Sequence, residues 1–514
     1  RGDIRYGYWL MGTREKIEGK QPARTCRTPR WKRTVRRSRE EEKGTALEVI
    51  SLVAGMINDI EDKQPNALYS LEFIQDGEYV VEKIFERGKE KLEETGRIVP
   101  LAIDTIASAM LNRGNPKADG YYIRAIELYD MLLESGEDED LLNGRGSSLS
   151  KLALLHARRG KLEEAERVYN DSILSCDRAI GLNENYAYAY SNRGNSLEGL
   201  AELHAGRGLY EEAEREYREA IASFDRAIGL NENYAGYHSN RGNSLEGLAE
   251  LHAGRGLYEE AEREYREAIA SFDRAIGLNE NDAIYHNNKG LSLKNLAELH
   301  AGRGKLEDAE REYNDSIASY NRAIGLNENY AGYHSNRGNS LRGLAELHTG
   351  RGKLEDAERE YREAIASFDR AIELNENDAR YHSNKGLSLG GLAELHAGRG
   401  KLEDAEREYR EAIASYDRAI ELNESKANYH SNRGNSLQSL AELHTGRGKL
   451  EDAEREYRDS ILSFDRAIEL NENYANAYSN RGLSLRGLAT LHAGRGKLED
   501  AEREYNDSIL SFDR

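Results

Sequence analysis

The stretch YHSNRGNSLEGLAELHAGRG, residues 237–256, carries two His, two Asn, two Arg and four Gly. Such a set suits either a site that does chemistry or a part that holds a shape. Its surroundings decide between them. NEN begins at Asn183 and recurs at Asn231, Asn279, Asn327, Asn375 and Asn471, with NES at Asn423, always 48 residues apart. The copy starting at Asn183 differs from the next at three places: Tyr188, Ala189 and Tyr190 become Gly236, Tyr237 and His238. A less regular copy covers about 135–182, so eight copies are expected, the last cut short at Arg514. Self-similarity at a fixed period marks an array of stacked units.

Each copy reads as two helices. In the second copy the first helix is expected over about 186–205, with Tyr190, Gly194, Leu197, Ala201 and His204 on one face at steps of four and three. Gly206 and Gly208 supply the stop and turn. The second helix is expected over about 210–230, with Ala213, Tyr217, Ala220, Phe224, Ala227 and Ile228 as its apolar stripe. EEAEREYRE gives it a charged outer face. Asn183 and Asn185 are expected to cap and turn the next connection. Short links make the helices antiparallel, and neither buries its stripe alone, so copies must stack.

RGLSLRGLA, then GKLEDA and SFDRAIELNEN, resembles the tetratricopeptide repeat over about 135–514. Gly482 and Leu485 match the small and large residues of that family's first helix. Gly496, Leu498 and Ala501 match its turn and the start of its second helix, and Phe512 and Ala467 match its later core residues. The resemblance implies an all-α solenoid, a right-handed superhelix of antiparallel helix pairs. The usual period is 34. Here two seven-residue insertions, one per helix, would lengthen each by about two turns, roughly 10 Å, without rotating its apolar face. The family's proline after the second helix is replaced by Glu184 and its equivalents, and no proline follows Pro116.

Composition narrows the class. The chain has 514 residues, a net charge of −20, and 38 % hydrophobic residues, too many for a disordered chain and too few for a membrane protein. ALEVISLVAGMI (46–57) is too short to span a bilayer and carries Glu48. No signal-peptide pattern opens the chain, which starts without Met, and a fragment of a longer cytoplasmic protein is expected. Of the two cysteines, Cys26 and Cys176, the latter stands where later copies place a core aromatic. Residues 1–43 are net +8 and the remainder net −28. This basic arm, with Arg30, Lys32, Arg33, Arg36 and Arg37 within it, is either a solvated tail or a contact to nucleic acid or acidic protein. Residues 44–134 are expected to be degenerate helical pairs that cap the array.

The 13 histidines all lie in the repeats, eight in LH and five in YH. One His of each kind per copy gives ladders rather than clusters, so packing is favoured over a metal or catalytic role. HAGRGKLE lacks the preceding strand and the GK[ST] ending of a phosphate loop. No enzyme activity, metal or cofactor is expected.

What varies between copies is a stripe on the first helix. Tyr188, Ser191, Asn195 and Glu198 fall on it, beside Asn192. Its equivalents are Gly236, Ser239, Asn240, Asn243 and Glu246 in the third copy, and Ile284, Asn287 and Lys294 in the fourth. They continue as Ser335, Asn339 and Arg342, then Arg380 and Ser383, then Asn428, Ser431, Asn435 and Gln438, and finally Asn476, Ser479 and Arg486. In the resembling family this stripe lines a concave groove that holds peptides. Asn192 and Asn195 match the Asn places of the family's carboxylate clamp, but its Lys place is Ser191. Glu198 and Glu246 early, with Lys294, Arg342, Arg380 and Arg486 later, suggest a groove with a charge gradient. The expected function is a scaffold for a partner protein or peptide. The alternatives are a regulatory arm of a larger protein, nucleic-acid contact through residues 23–39, and self-stacking through exposed repeat ends.

Overall fold

The computed structural model describes residues 100, 101, 103, 104, 107, 108 and 117–513. The basic arm, with Arg30, Lys32, Arg33, Arg36 and Arg37, and residues 44–99 of the expected cap lie outside them. All regular structure among the described residues is helical. The chain divides into two compact units, one ending at Glu280 and one beginning at Asn281.

The first unit holds α1 (Ala118–Leu133), then the pairs α2 (Glu139–Arg158) and α3 (Leu162–Leu182), α4 (Ala187–Gly206) and α5 (Tyr210–Leu230), and α6 (Ala235–Gly254) and α7 (Tyr258–Leu278). The second unit holds α8 (Ala283–Gly302) and α9 (Leu306–Leu326), α10 (Ala331–Gly350) and α11 (Leu354–Leu374), α12 (Ala379–Gly398) and α13 (Leu402–Leu422), α14 (Ala427–Gly446) and α15 (Leu450–Leu470), and α16 (Ala475–Gly494) and α17 (Leu498–Phe512). Within each unit every second helix packs against its own first helix and against the first helix of the next copy, and successive first helices also touch. Two layers result, first helices in one and second helices in the other. The first-helix layer is the more closely spaced, so it lies on the inside of each unit's curve.

The turn inside each copy follows from one glycine. Gly208 has φ +78°, which a β-carbon disfavours. Its N–H donates to the carbonyl of Ala205 at 3.1 Å, and the Leu209 N–H to that of His204 at 2.9 Å. These two bonds form a Schellman motif, repeated at Gly256, Gly304, Gly352, Gly400, Gly448 and Gly496. The Asn-rich links behave differently from the expectation. Asn183 is extended, with φ −143°, and its side chain accepts the Asn185 N–H at 3.1 Å. It folds an Asx-turn, and the N-cap falls to Tyr186, which makes no side-chain cap. Asp282 and Asp378, at the equivalent place in later copies, do cap their helices.

Ala213, Tyr217, Ala220, Phe224 and Ala227 are all buried, as the stripe requires, while Ile228 is half-buried. The first helix meets these aromatics with glycine. A β-carbon on Gly194 would stand 2.7 Å from the Phe224 ring of its own copy, and one on Gly199 2.5 Å from the Tyr169 ring of the preceding copy. The same two interlocks recur in the second unit, Gly386 against Tyr416 and Gly391 against Tyr361. Cys176 takes the aromatic's place under Gly146, fully buried, and burial pushes its thiol up to about 12.

Candidate binding face

The first-helix layer carries the variable stripe, and the structure divides that stripe in two. Its serine row is buried at Ser191, Ser239, Ser335, Ser383 and Ser431, as is Asn287. Asn243, Glu198 and Glu246 are buried as well. Glu198 accepts a 2.6 Å hydrogen bond from the Ser244 hydroxyl of the next first helix. Gln438 accepts one from Ser484 in the same way, at 3.1 Å. An open groove presenting Glu198 and Glu246 as its acidic end is therefore corrected. The close approach of adjacent first helices turns Glu198 and Gln438 into cross-copy hydrogen-bonding groups.

The residues left reachable lie at the ends and along the outer edge of the stripe. Tyr188, Arg380, Asn428, Asn435, Asn476, Ser479 and Arg486 are exposed. Asn192, Asn195, Asn240, Gly236, Ile284, Lys294, Asn339, Arg342 and Gln438 are half-buried. Asn192 donates to Asn143 at 2.8 Å, Asn336 to Asn287 at 2.9 Å and Asn480 to Asn435 at 2.9 Å, an amide ladder along the layer. Lys294 and Arg342 are held by the carboxylates four residues on, Glu298 at 2.8 Å and Glu346 at 2.6 Å. Arg380 turns back on Asp378 at 2.6 Å. In the first unit Tyr188 packs edge-on against Tyr186, Tyr234 and Tyr237, with ring centroids 6.1 to 6.2 Å away.

An acidic row runs beside the stripe. Glu298, Glu346, Glu394 and Glu442 are exposed on successive first helices of the second unit. Gly390 stands where Lys294, Arg342 and Gln438 of other copies hold this Glu. Partial desolvation of the carboxyl, reinforced by the Glu346 charge, raises Glu394 above its usual range although the residue as a whole is exposed. The fixed 48-residue spacing could have revealed this row, since the Glu of LAELH is nearly invariant among the copies.

The histidines are packing elements with a chemistry the ladder argument missed. His204, His252, His348, His396 and His444 are buried, and each shares a hydrogen bond at Nδ1 with a Glu 12 residues on, at 2.6 to 2.7 Å. The spacing of His to Glu was present in every copy from the second onward and was readable. The other kind of His, at His238, His334, His382 and His430, bonds through Nε2 to the carbonyl of the NEN or NES glutamate, at 2.9 to 3.0 Å. Arginine in the GRG turn reaches back one copy: Arg447 pairs with Glu406 at 2.8 Å and with Glu403 at 2.7 Å. Among the described residues no three metal-binding side chains converge, and no helix is long and apolar enough to cross a membrane.

Family profiles match along the repeated part. A TPR repeat profile matches residues 399–440, and two tetratricopeptide repeat profiles match 146–170, 187–219, 243–267 and 386–411, and 345–378. No curated protein matches the sequence. Among solved structures, BtubC from P. vanneervenii is 18 % identical with TM-score 0.37, covering 51 % of this chain and 91 % of its own. TTC0263, a thermophilic TPR protein of Thermus thermophilus, is 19 % identical with TM-score 0.30, over 48 % and 98 %. The human IFIT1 dimer with PPP-AAAA is 14 % identical with TM-score 0.36, over 94 % and 99 %. With its repeated helix pairs and these profile matches over about a third of its length, the chain carries tetratricopeptide repeats.

Proposed function

We propose that the chain is a scaffold that holds a partner protein or peptide against its first-helix layer. One observation carries this reading. The copies keep similar interlocks, while one edge of the stripe changes from copy to copy: Tyr188, Gly236, Ile284, Arg380, Asn428 and Asn476 share one place, which is exposed or half-buried in these copies. Side chains that only stack have no need to differ there. Solenoid inner faces serve as extended binding surfaces, and a rigid one loses little entropy on binding. The partner in this reading is an extended segment with acceptors for Arg380 and Arg486, amides for the Asn ladder, and a cation for Glu394.

A displayed peptide library selected on the full chain supplies the ligand. Arg380→Glu and Arg486→Glu then weaken it by about tenfold or more, roughly 1.4 kcal/mol. Arg503→Glu, on the second-helix layer, leaves it unchanged. Equal losses from the two layers would refute the reading. The net +8 of residues 1–43 supports a second reading, nucleic-acid contact through residues 23–39. Retention on DNA at low salt that disappears when residues 1–43 are deleted supports it, and no retention at low salt removes it.

A further inference from the structure

In six copies a buried histidine stands between two carboxylates that belong to different copies. His444 on α14 bonds through Nδ1 to Glu456 on its own second helix, at 2.6 Å. Its Nε2 lies 3.2 Å from Glu406 on the second helix of the preceding copy. The arrangement repeats at His348 with Glu360 and Glu310 and at His396 with Glu408 and Glu358, and His492 is placed between Glu504 and Glu454 at 2.9 and 3.3 Å. The first unit has it at His204 with Glu216 and Glu166, and at His252 with Glu264 and Glu214. On the far side the Nε2 distances run from 3.2 to 3.6 Å.

The two nitrogens respond differently to loss of a proton. A carboxylate accepts only, so Nδ1 must keep its hydrogen to bond the glutamate of its own copy. A neutral imidazole with its hydrogen on Nδ1 preserves that bond. Its Nε2 then presents a lone pair to the carboxylate of the preceding copy, acceptor against acceptor. Deprotonation therefore spares the contact within a copy and turns the contact between copies from attraction to repulsion. We propose that these histidines form a proton-dependent clamp between successive copies, closed when they are imidazolium and loosened when they are neutral.

The surrounding charges are accounted for. Glu456 also faces Arg455 at 3.5 Å, and Glu406 faces Arg410, Arg447 and Lys449. Those cations keep their charge well above the range in which histidine titrates, so they hold the copies together at a constant level. Imidazole is the side-chain type whose ordinary titration lies near neutrality, and burial raises the Glu456 carboxyl beside it above the usual carboxylate range. The hydrogen bond that its Nδ1–H donates to Glu264 holds the His252 pKa above its ordinary range, against the opposing effect of burial. The first copy provides a contrast. At the place 12 residues beyond His156 stands Val168, and at the place of the facing carboxylate stands Ala118. Burial, helped by Lys161, lowers the His156 pKa.

Hydrogen exchange of the full chain, read by mass spectrometry and corrected for intrinsic exchange, tests the clamp between about pH 6 and about pH 9. Protection in α12, α14 and α16 is expected to fall by about tenfold over this range, as the contact between copies turns from attraction to repulsion. Protection in α2, which holds His156, is expected to stay flat. A chain with Glu358→Gln, Glu406→Gln and Glu454→Gln offers Nε2 an amide that can donate to it, and is expected to lose the pH dependence. A slope in α2 equal to that in α14, or an undiminished slope in the folded Gln variant, overturns the proposal. The comparison of α2 with α14 needs no variant, so it stands even if the Gln chain fails to fold.

Discussion

At the scale of single residues, glycine has opposite meanings at different places on the same helix pair. Gly391 meets the Tyr361 ring, and a β-carbon there would lie 2.7 Å from it. Gly391→Ala is therefore expected to destabilise the chain by about 1–3 kcal/mol through overpacking, despite alanine's better helix propensity. Gly325, near the end of α9, has nothing within 4 Å of an added β-carbon. Gly325→Ala is expected to stabilise by up to about 1 kcal/mol. Urea unfolding of the two variants reads both signs. The aromatics and glycines were legible in the sequence as core and helix breakers. Their pairing was not, because Gly199 meets a ring 30 residues earlier in the chain, and one-face periodicity says nothing about what lies opposite.

At the scale of elements, the helix boundaries fall within about a residue of those the period implied. The turn at each GRG was also legible, because a glycine after a helix that must reverse has few other uses. Gly400, at φ +74°, closes the turn between α12 and α13, and Gly400→Ala is expected to cost about 1 kcal/mol. Thermal melting of the variant checks it. Illegible in advance was the second task of the same turn, since the partner of its arginine lies about 40 residues upstream. At Glu406 the Lys449 ammonium, aided by His444 and Arg410, holds the carboxyl down at about 2. A depressed carboxyl contributes stability that is present above its ordinary pKa of 4.5 and lost as pH falls towards about 2. Lys449→Met should thus move the acid unfolding midpoint to higher pH, as followed by circular dichroism. An unmoved midpoint would show that the pair contributes nothing to acid resistance.

At the scale of the molecule, the all-helical stacked-pair architecture was the most legible feature, because a 48-residue period overrides local ambiguity. The candidate face was legible only in outline. The periodicity placed Ser191, Asn195 and Glu198 on one stripe, and the structure buries two of them where neighbouring first helices close on each other. Spacing along one helix cannot tell an open face from one covered by the next copy. In such arrays stability is close to a sum of copies and junctions. Removing one full period, residues 379–426, should leave a folded chain with a shallower urea transition, whereas removing half a period should not. Circular dichroism and the steepness of unfolding distinguish the two.

The glycine–aromatic interlock has a consequence for how such a chain finds its register. Tyr217 fits the gap at Gly247, Tyr313 that at Gly343, and Tyr457 that at Gly487, with nearly the same geometry each time. Asn295 and Ser439 take the glycine's place in two copies, but among the glycine-bearing ones a key that fits several locks does not say which is its own. Correct pairing must then come from proximity along the chain, since the neighbouring copy arrives first and a distant one must close a longer loop. Two chains at high concentration lose that advantage. They should exchange whole copies on refolding, giving dimers whose joints match those of the monomer.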